Sequence, residues 1–528
     1  MASTAPVPPA REGTILGHPP GLFLLFAVEM WERFSYYGMR GLLVLYLIAA
    51  TTGGVDGFNP GRGWSKPEAS TLYGWYTGLA YLFPILGGLV ADKLIGTHRS
   101  MLVGGLLIAL GHVVLAVSGH GDLAQNQFGM SIFIAGLALI VLGTGHFKPS
   151  VSVMVGELYP EGDPRRDAAF TIFYMGINLG AFLCAFVCGT LGEKVGWHWG
   201  FGSAAVGMVA GLLLYLLLRP RYLAHVGLQP VSVSDATSWL ASGGFVLGNA
   251  ALAAACGAAY HAGWLARLQE AFSLPVMATI AAAVLALAVW FVAVQRPEDR
   301  GPTASIFLFM FFNVFFWMAF EQAGSSINVF TETNTDRRLF GTEVPATWFQ
   351  SVNAGLIFVF APLVAALWTW LGRRRLDPSQ PLKIALGLFL LGVGYLFMVW
   401  AGLAARDGAK ASMALVFLTY FWHTMGELCV SPTGLSYVTK AAPARFVSLL
   451  MGVWFISSFV ANLAGGLVAA QVERIERGEL VLPWRFGGQA DFFFLFVVTS
   501  IGAAVVVFLL TPLLKRLLRP EVGGGAGH

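Results

Sequence analysis

Charge is what this chain has least of. Only 11% of its 528 residues are Asp, Glu, Lys or Arg, against about 25% in an ordinary soluble domain. Hydrophobic residues make up 56%, more than one soluble core can bury, which fits a polytopic membrane protein. The net charge of +4 is dispersed over many loops. No Lys/Arg block resembles a nucleic-acid arm, so no nucleic-acid partner is expected. Cysteine is scarce: Cys184, Cys188, Cys256 and Cys429, all in apolar segments. Their closest spacing, CxxxC, is not a zinc pattern, so they read as packing residues. There is no GxxxxGK[ST] loop, no HExxH or CxxC pair, and no GxGxxG in a Rossmann context. ATP-driven pumping, bound metal and cofactors are therefore not expected. The Pro-rich start MASTAPVPPAREGTILGHPPG does not resemble the basic n-region of a cleaved signal peptide.

Long apolar runs are what is present instead. A bilayer core of about 30 Å needs about 20 apolar residues in a helix. Fourteen such segments are expected, starting near Leu22, Ala69, Met101, Phe128, Ala168, Trp199, Trp239, Leu274, Ser305, Thr347, Leu382, Ser412, Val447 and Phe492. Clusters such as GDPRRD, RPRYLAH and QRPEDRGP separate them. With the N-terminus in the cytoplasm, cytoplasmic loops hold the larger share of Lys and Arg, including Arg373 to Arg375. The expectation is an all-α, multi-pass protein of the cell membrane with both termini cytoplasmic.

A short internal repeat divides the chain. PILGGL (Pro84 to Leu89) matches PLVAAL (Pro362 to Leu367), and Pro149 and Pro432 follow 65 and 70 residues later. Two six-helix halves with two helices inserted between them produce this register. The expected organisation is a cytoplasmic tail over 1–21, a six-helix bundle over 22–220 and a two-helix insertion over 221–302. A second six-helix bundle over 303–516 and a flexible tail over 517–528 complete it. Repeats of this kind mark secondary transporters, whose site lies between the halves near midplane.

The stretch EMWERFSYYGMR breaks the first apolar run with Glu29, Glu32, Arg33 and Arg40. An ionisable group at mid-bilayer costs at least about 2.5–3.5 kcal/mol on insertion scales. In a helix these four, with Tyr36 and Tyr37, fall within an arc of about 140°. The stripe is either an ion-pair network that fixes helix packing or the wall of a wet cavity. Lys148, Glu321 and Glu427 are further isolated charges in apolar surroundings. If the repeat holds, Lys148 and Glu427 occupy matching helices of opposite halves, and a zwitterion fits between them. Tyr81, Asn178 and Asn353 are polar candidates for the same cavity. Asp92 reads as a latch or helix-end charge. His112, His146, His198 and His423 read as packed or interfacial.

These residues resemble the proton-dependent oligopeptide transporter family, a branch of the major facilitator superfamily. EMWERFSYYG (Glu29 to Gly38) resembles its ExxERFxYYG motif. GGLVADKLIG, FYMGINLGAF (Phe173 to Phe182), FEQAGSS (Phe320 to Ser326) and GELCVSPTGLS (Gly426 to Ser436) follow in family order. The resemblance implies a major facilitator fold with two extra helices, and proton-driven import of di- and tripeptides by a monomer. It implies that Arg33 and Lys148, with Tyr37 and Tyr81, hold the peptide carboxylate. Glu427, Asn178 and Asn353 would hold the amino terminus. Glu29 and Glu32 would couple protons and pair with Lys148, and Arg40 and Glu321 would form a gating pair. Tyr36, Trp454 and Ser431 would line side-chain pockets. Some members carry a histidine where Gly74 stands here, so a histidine-based proton step at that site is not expected. Two rivals remain at this level: a non-peptide solute such as nitrate, a drug or a metabolite, and an intramembrane enzyme using Glu29 and Glu32 as acid and base.

Overall fold

The structure, a computed structural model, describes residues 13–53, 58–160, 162–230, 232–271, 274–443 and 446–517. The tails 1–12 and 518–528, and the side chain of Pro432 from the repeat, lie outside the described residues. The long helices are α1 (Pro20–Ile48), α2 (Lys66–Val90), α3 (Gly96–Val117), α4 (Gln127–Glu157), α5 (Arg165–Cys184), α6 (Trp197–Tyr222) and α7 (Asp235–His261). They continue as α8 (Leu274–Ala293), α9 (Pro297–Phe320), α10 (Trp348–Arg373), α11 (Gln380–Ala404), α12 (Met413–Ala441), α13 (Val447–Ala469) and α14 (Gln489–Leu517). Among the described residues, strands are two residues long: Thr335–Asp336 pairs with Ala411–Ser412, and Arg338–Leu339 with Thr342–Glu343.

By length and apolar composition, eleven helical runs among the described residues qualify as membrane spans, against the fourteen expected. Two of the three differences have physical causes. Helix α1 carries four charges within one span length, too many for it to count as an apolar span. Residues Lys66–Val117 form one run of 52 residues because a π-turn, Ala91–Ile95, joins α2 to α3. Gly96, at that junction, has a φ of +76°, which glycine adopts without steric cost. The third is one of coverage: in α8 the described side chains run without a gap only over Thr279–Ala293, which counts as a shorter apolar helix.

Apolar clusters build two halves. Residues from Leu22 to Val226, joined by Val329 and Ala346, supply one set, centred on Phe133, Phe147, Phe201 and Met208. Residues from Ile306 to Leu514 supply the other, around Phe316, Tyr395 and Phe493. Lipid provides no hydrophobic drive between helices, so close backbone approach matters. A Cβ on Gly87 of α2 would stand 2.1 Å from the Gly145 carbonyl of α4, and one on Gly104 of α3 would stand 2.5 Å from Gly143 O. Helix α7 packs on α3 and α4. Phe291 of α8 meets Phe307 and Phe446 in the second half, with ring centroids 6.1 and 5.3 Å away.

The halves meet along two seams at the face where α1 ends and α2 begins. In one, a Cβ on Gly74 of α2 would lie 2.9 Å from the Gly466 Cα of α13. In the other, the Glu193 carboxylate, beyond α5, accepts from the backbone N–H of Ala346 and Thr347 (both 2.9 Å) and from Thr347 Oγ1 (2.7 Å). Arg337 adds ion pairs to Glu193 (3.7 Å), Glu332 (2.8 Å) and Glu343 (2.9 Å). Helix α9 gives way to one 3-10 turn, Glu321–Gly324, before resuming as Ser326–Asn334. Helix breaks at midplane recur where transporters bind their substrates and ions.

Candidate functional site

A cavity of about 230 Å³ lies between the halves. The first half lines it with Tyr37 and Arg40 of α1, Tyr81 of α2, and Tyr174 and Asn178 of α5. The second half contributes Glu321 and Trp317 from the broken α9, Asn353 from α10, and Tyr420, Glu427 and Ser431 from α12.

Its charges are paired and buried. Arg40 Nη2 lies 2.7 Å from Glu321 Oε2, joining α1 to the break in α9. Arg40 Nε donates to Tyr73 Oη of α2 (2.7 Å), and the guanidinium lies 5.4 Å from the Tyr37 ring centre. On the opposite wall, Asn353 Nδ2 donates to Glu427 Oε2 (2.8 Å) and Thr424 Oγ1 (3.0 Å). Asn178 Nδ2 donates to Tyr174 O one turn back (3.0 Å), which holds its amide at the cavity edge. The structure thus brings Tyr37, Arg40, Tyr81, Asn178, Glu321, Asn353, Glu427 and Ser431 to one space.

The remaining candidates lie elsewhere. Glu29, Glu32 and Arg33 do not line this cavity: eleven residues separate Glu29 from Arg40, about 16 Å along a helix axis. The polar stripe of α1 therefore runs along the helix, and only its Tyr37–Arg40 end reaches the cavity. The closest ion pairs of Glu29 and Glu32 are with Arg33, at 3.0 and 2.5 Å, while the expected partner Lys148 stays within electrostatic reach of both. Arg33 follows Glu29 by one turn and Glu32 by one residue on the same helix, so it reaches both carboxylates without spanning to α4. Lys148 sits behind the lining, its Nζ 4.1 Å from the ring centre of Tyr81. Tyr36 turns away too, edge-on to Tyr37 (5.3 Å) and stacked on Tyr76 (6.3 Å). Trp454 packs against the core of the second half. Asp92 is exposed in the π-turn, away from the cavity.

Sequence reasoning missed Tyr73, Tyr174 and Thr424. A spacing signal existed for each. Tyr174 precedes Asn178 by four residues and Thr424 precedes Glu427 by three, so each shares a helix face with a residue already singled out. Tyr73 precedes Tyr81 by eight, again near one face. His423 and Cys184, read as packing residues, also line the cavity. The chamber has a buried ion pair on one wall and a second buried carboxylate, Glu427, on the other. It can hold a compact solute bearing both charges, and within it the Arg40–Glu321 pair bridges the halves.

Comparison with known proteins supports this picture. A model of the POT family matches residues 98–482. The chain is 36% identical over 518 residues to the peptide transporter YePEPT of Yersinia enterocolitica, covering 97% of each. It is 36% identical over 519 residues to the di-/tripeptide transporter of Lactococcus lactis, covering 96% of this chain and 98% of that one. Among solved structures, a peptide transporter POT in complex with sulfate superposes with a TM-score of 0.78 at 32% identity, covering 96% and 97% of the two chains.

Proposed function

The chain belongs to the POT family of membrane peptide transporters, and from that premise we propose that it is a proton-coupled symporter importing di- and tripeptides. The observation that carries this reading is the set of opposed charges lining one cavity built by both halves. The ammonium of a peptide goes to Glu427, with Asn353 and Asn178 beside it. The carboxylate goes toward Tyr37 and Tyr81, with Lys148 behind Tyr81 and Arg33 one turn along α1. Glu29, Glu32 and Glu321 are the proton carriers of the cycle, and no cofactor takes part.

The division into bundles over 22–220 and 303–516, joined by the insertion 221–302, belongs to this reading. So do action as a monomer in the cell membrane and the placement of both termini in the cytoplasm. The seam at Glu193 then faces outward, and the structure is shut on that side. In the opposite state a proton and a peptide enter from outside. Protonation of Glu321 releases Arg40 and holds that open state; when the proton leaves, the pair re-forms, the halves rock about the site, and the cavity opens to the cytoplasm. The two states must lie within a few kcal/mol of each other for protons and peptide to bias them.

Labelled dialanine and liposomes bearing the purified protein provide the test. With an alkaline interior, intact peptide is expected to accumulate above its outside concentration. Without the gradient it should only equilibrate. A monodisperse preparation that takes up none rules out peptide as the substrate. The ammonium assignment has its own check. Glu427→Gln should weaken dialanine binding by about tenfold to a hundredfold, the worth of one charge-assisted hydrogen bond. N-acetyl-dialanine, which lacks the ammonium, should bind parent and variant alike. An equal loss for both ligands would place the amino terminus elsewhere.

A further inference from the structure

The inserted helix α7 is bonded to the first half at three levels. Near its start, Ser238 Oγ donates to Leu94 O (3.0 Å). At its end, Gln127 Nε2 donates to His261 O (3.3 Å), and the His261 ring meets Ser131 Oγ (3.3 Å). Midway, Asn249 reaches the buried His146 of α4.

The hydrogens in this middle contact can be assigned. Asn249 Nδ2 lies 2.8 Å from Phe245 O, so that atom is the amide NH2. Its second hydrogen points to His146 Nε2 at 3.3 Å. An NH2 only donates, so Nε2 accepts and the neutral ring carries its proton on Nδ1. Nδ1 then donates to Ser100 Oγ of α3 (3.3 Å), which in turn donates to His146 O (3.2 Å). One directional chain links α7, α4 and α3.

His146 stands two residues before Lys148, about 200° around the helix. The side of α4 that α7 and α3 hold is therefore opposite the side that presents Lys148 to Tyr81. The backbone between is short of a bond, because Pro149 offers no N–H to the Gly145 carbonyl. Proline stretches are where helices bend most readily, so contacts at the back of α4 set its angle at the front. We infer that Asn249 is a positioning residue for the peptide site, acting through His146 to hold Lys148 over Tyr81. Through α7, the inserted pair thereby gains a role in substrate affinity.

The inference rests on the peptide reading for its transport test but not for its geometric one. In Asn249→Leu, labelling of Lys148 by an amine-reactive probe, read by mass spectrometry, should rise about fivefold, the size of one lost hydrogen bond. KM for dialanine should rise by about the same factor with Vmax nearly unchanged, and Asn249→Gln should restore both. His146→Leu breaks the chain from the other side. It should repeat the labelling change, add little in the double variant, and serve as the test if Asn249→Leu aggregates. Labelling within about twofold of the parent in either folded variant overturns the inference. If the parent itself takes up no dialanine, the peptide reading falls and the labelling alone decides the positioning role.

Discussion

Glu321→Gln is expected to abolish concentrative uptake while leaving peptide exchange intact. The Glu321 carboxylate is the charge partner of Arg40, and both side chains are less than a tenth exposed. Removing one partner of a buried pair costs about 3–5 kcal/mol, because the other charge stays desolvated and alone. Tyr73 Oη still accepts from Arg40, which keeps the loss near the lower bound. That loss falls on the state in which the Glu193 face is shut, since only there do Arg40 and Glu321 touch across the halves. The shut state should therefore lose about a hundredfold in population or more. Spin labels at the exposed positions Gln125 and Phe340, one on each half, should report a longer separation in the variant at neutral pH. Exchange of labelled for unlabelled dialanine should continue, because it needs no proton step at this residue. If Glu321→Gln still accumulates peptide against its gradient, the gating role is wrong.

Gly466→Val should act on the same face by sterics alone. A Cβ on Gly466 would stand 2.5 Å from Ser70 O and 2.6 Å from Gly74 Cα. Both are backbone atoms and cannot swing aside. Overpacking a tight contact costs about 1–3 kcal/mol, and here the strain exists only while the seam is closed. The variant should fold, retain peptide binding from the open side, and lose about 5- to 150-fold in turnover. The label pair on Gln125 and Phe340 should again read longer. Normal turnover with an unshifted distance would mean that the α2–α13 seam is not part of the moving contact.

The residues behind these two variants differ in how far the amino-acid sequence alone reveals them. The stripe on α1 is legible because helical periodicity decides which of Glu29, Glu32, Arg33, Tyr36, Tyr37 and Arg40 share a side. Its partners are not. Arg33 serves carboxylates of its own helix instead of leaving Lys148 to do so, and only three-dimensional placement settles that competition. Arg40 meets Glu321 across hundreds of residues of chain; the resemblance to a family suggests the pair, and no spacing could. At Gly74 the sequence shows only that a histidine is missing. The structural counterpart is a backbone contact with Gly466, to which no pattern in α2 points. Counting spans is harder for a related reason. The same charges that make α1 worth attention also remove it from a hydropathy count.

The Arg337–Glu193 clasp bears on how the closed face responds to its surroundings. Exposed ion pairs are screened at physiological salt within about 8 Å, whereas buried ones hardly feel it. Glu193 and Arg337 are 7% and 5% exposed, and the Glu193 carboxylate is saturated by two backbone N–H groups and a hydroxyl. Arg337's outer partners, Glu332 and Glu343, are 39% and 56% exposed and act as a wet fringe. On the proposed orientation, swings in external ionic strength reach the fringe and not the clasp. The shut seam is therefore expected to hold about equally in dilute and in saline medium.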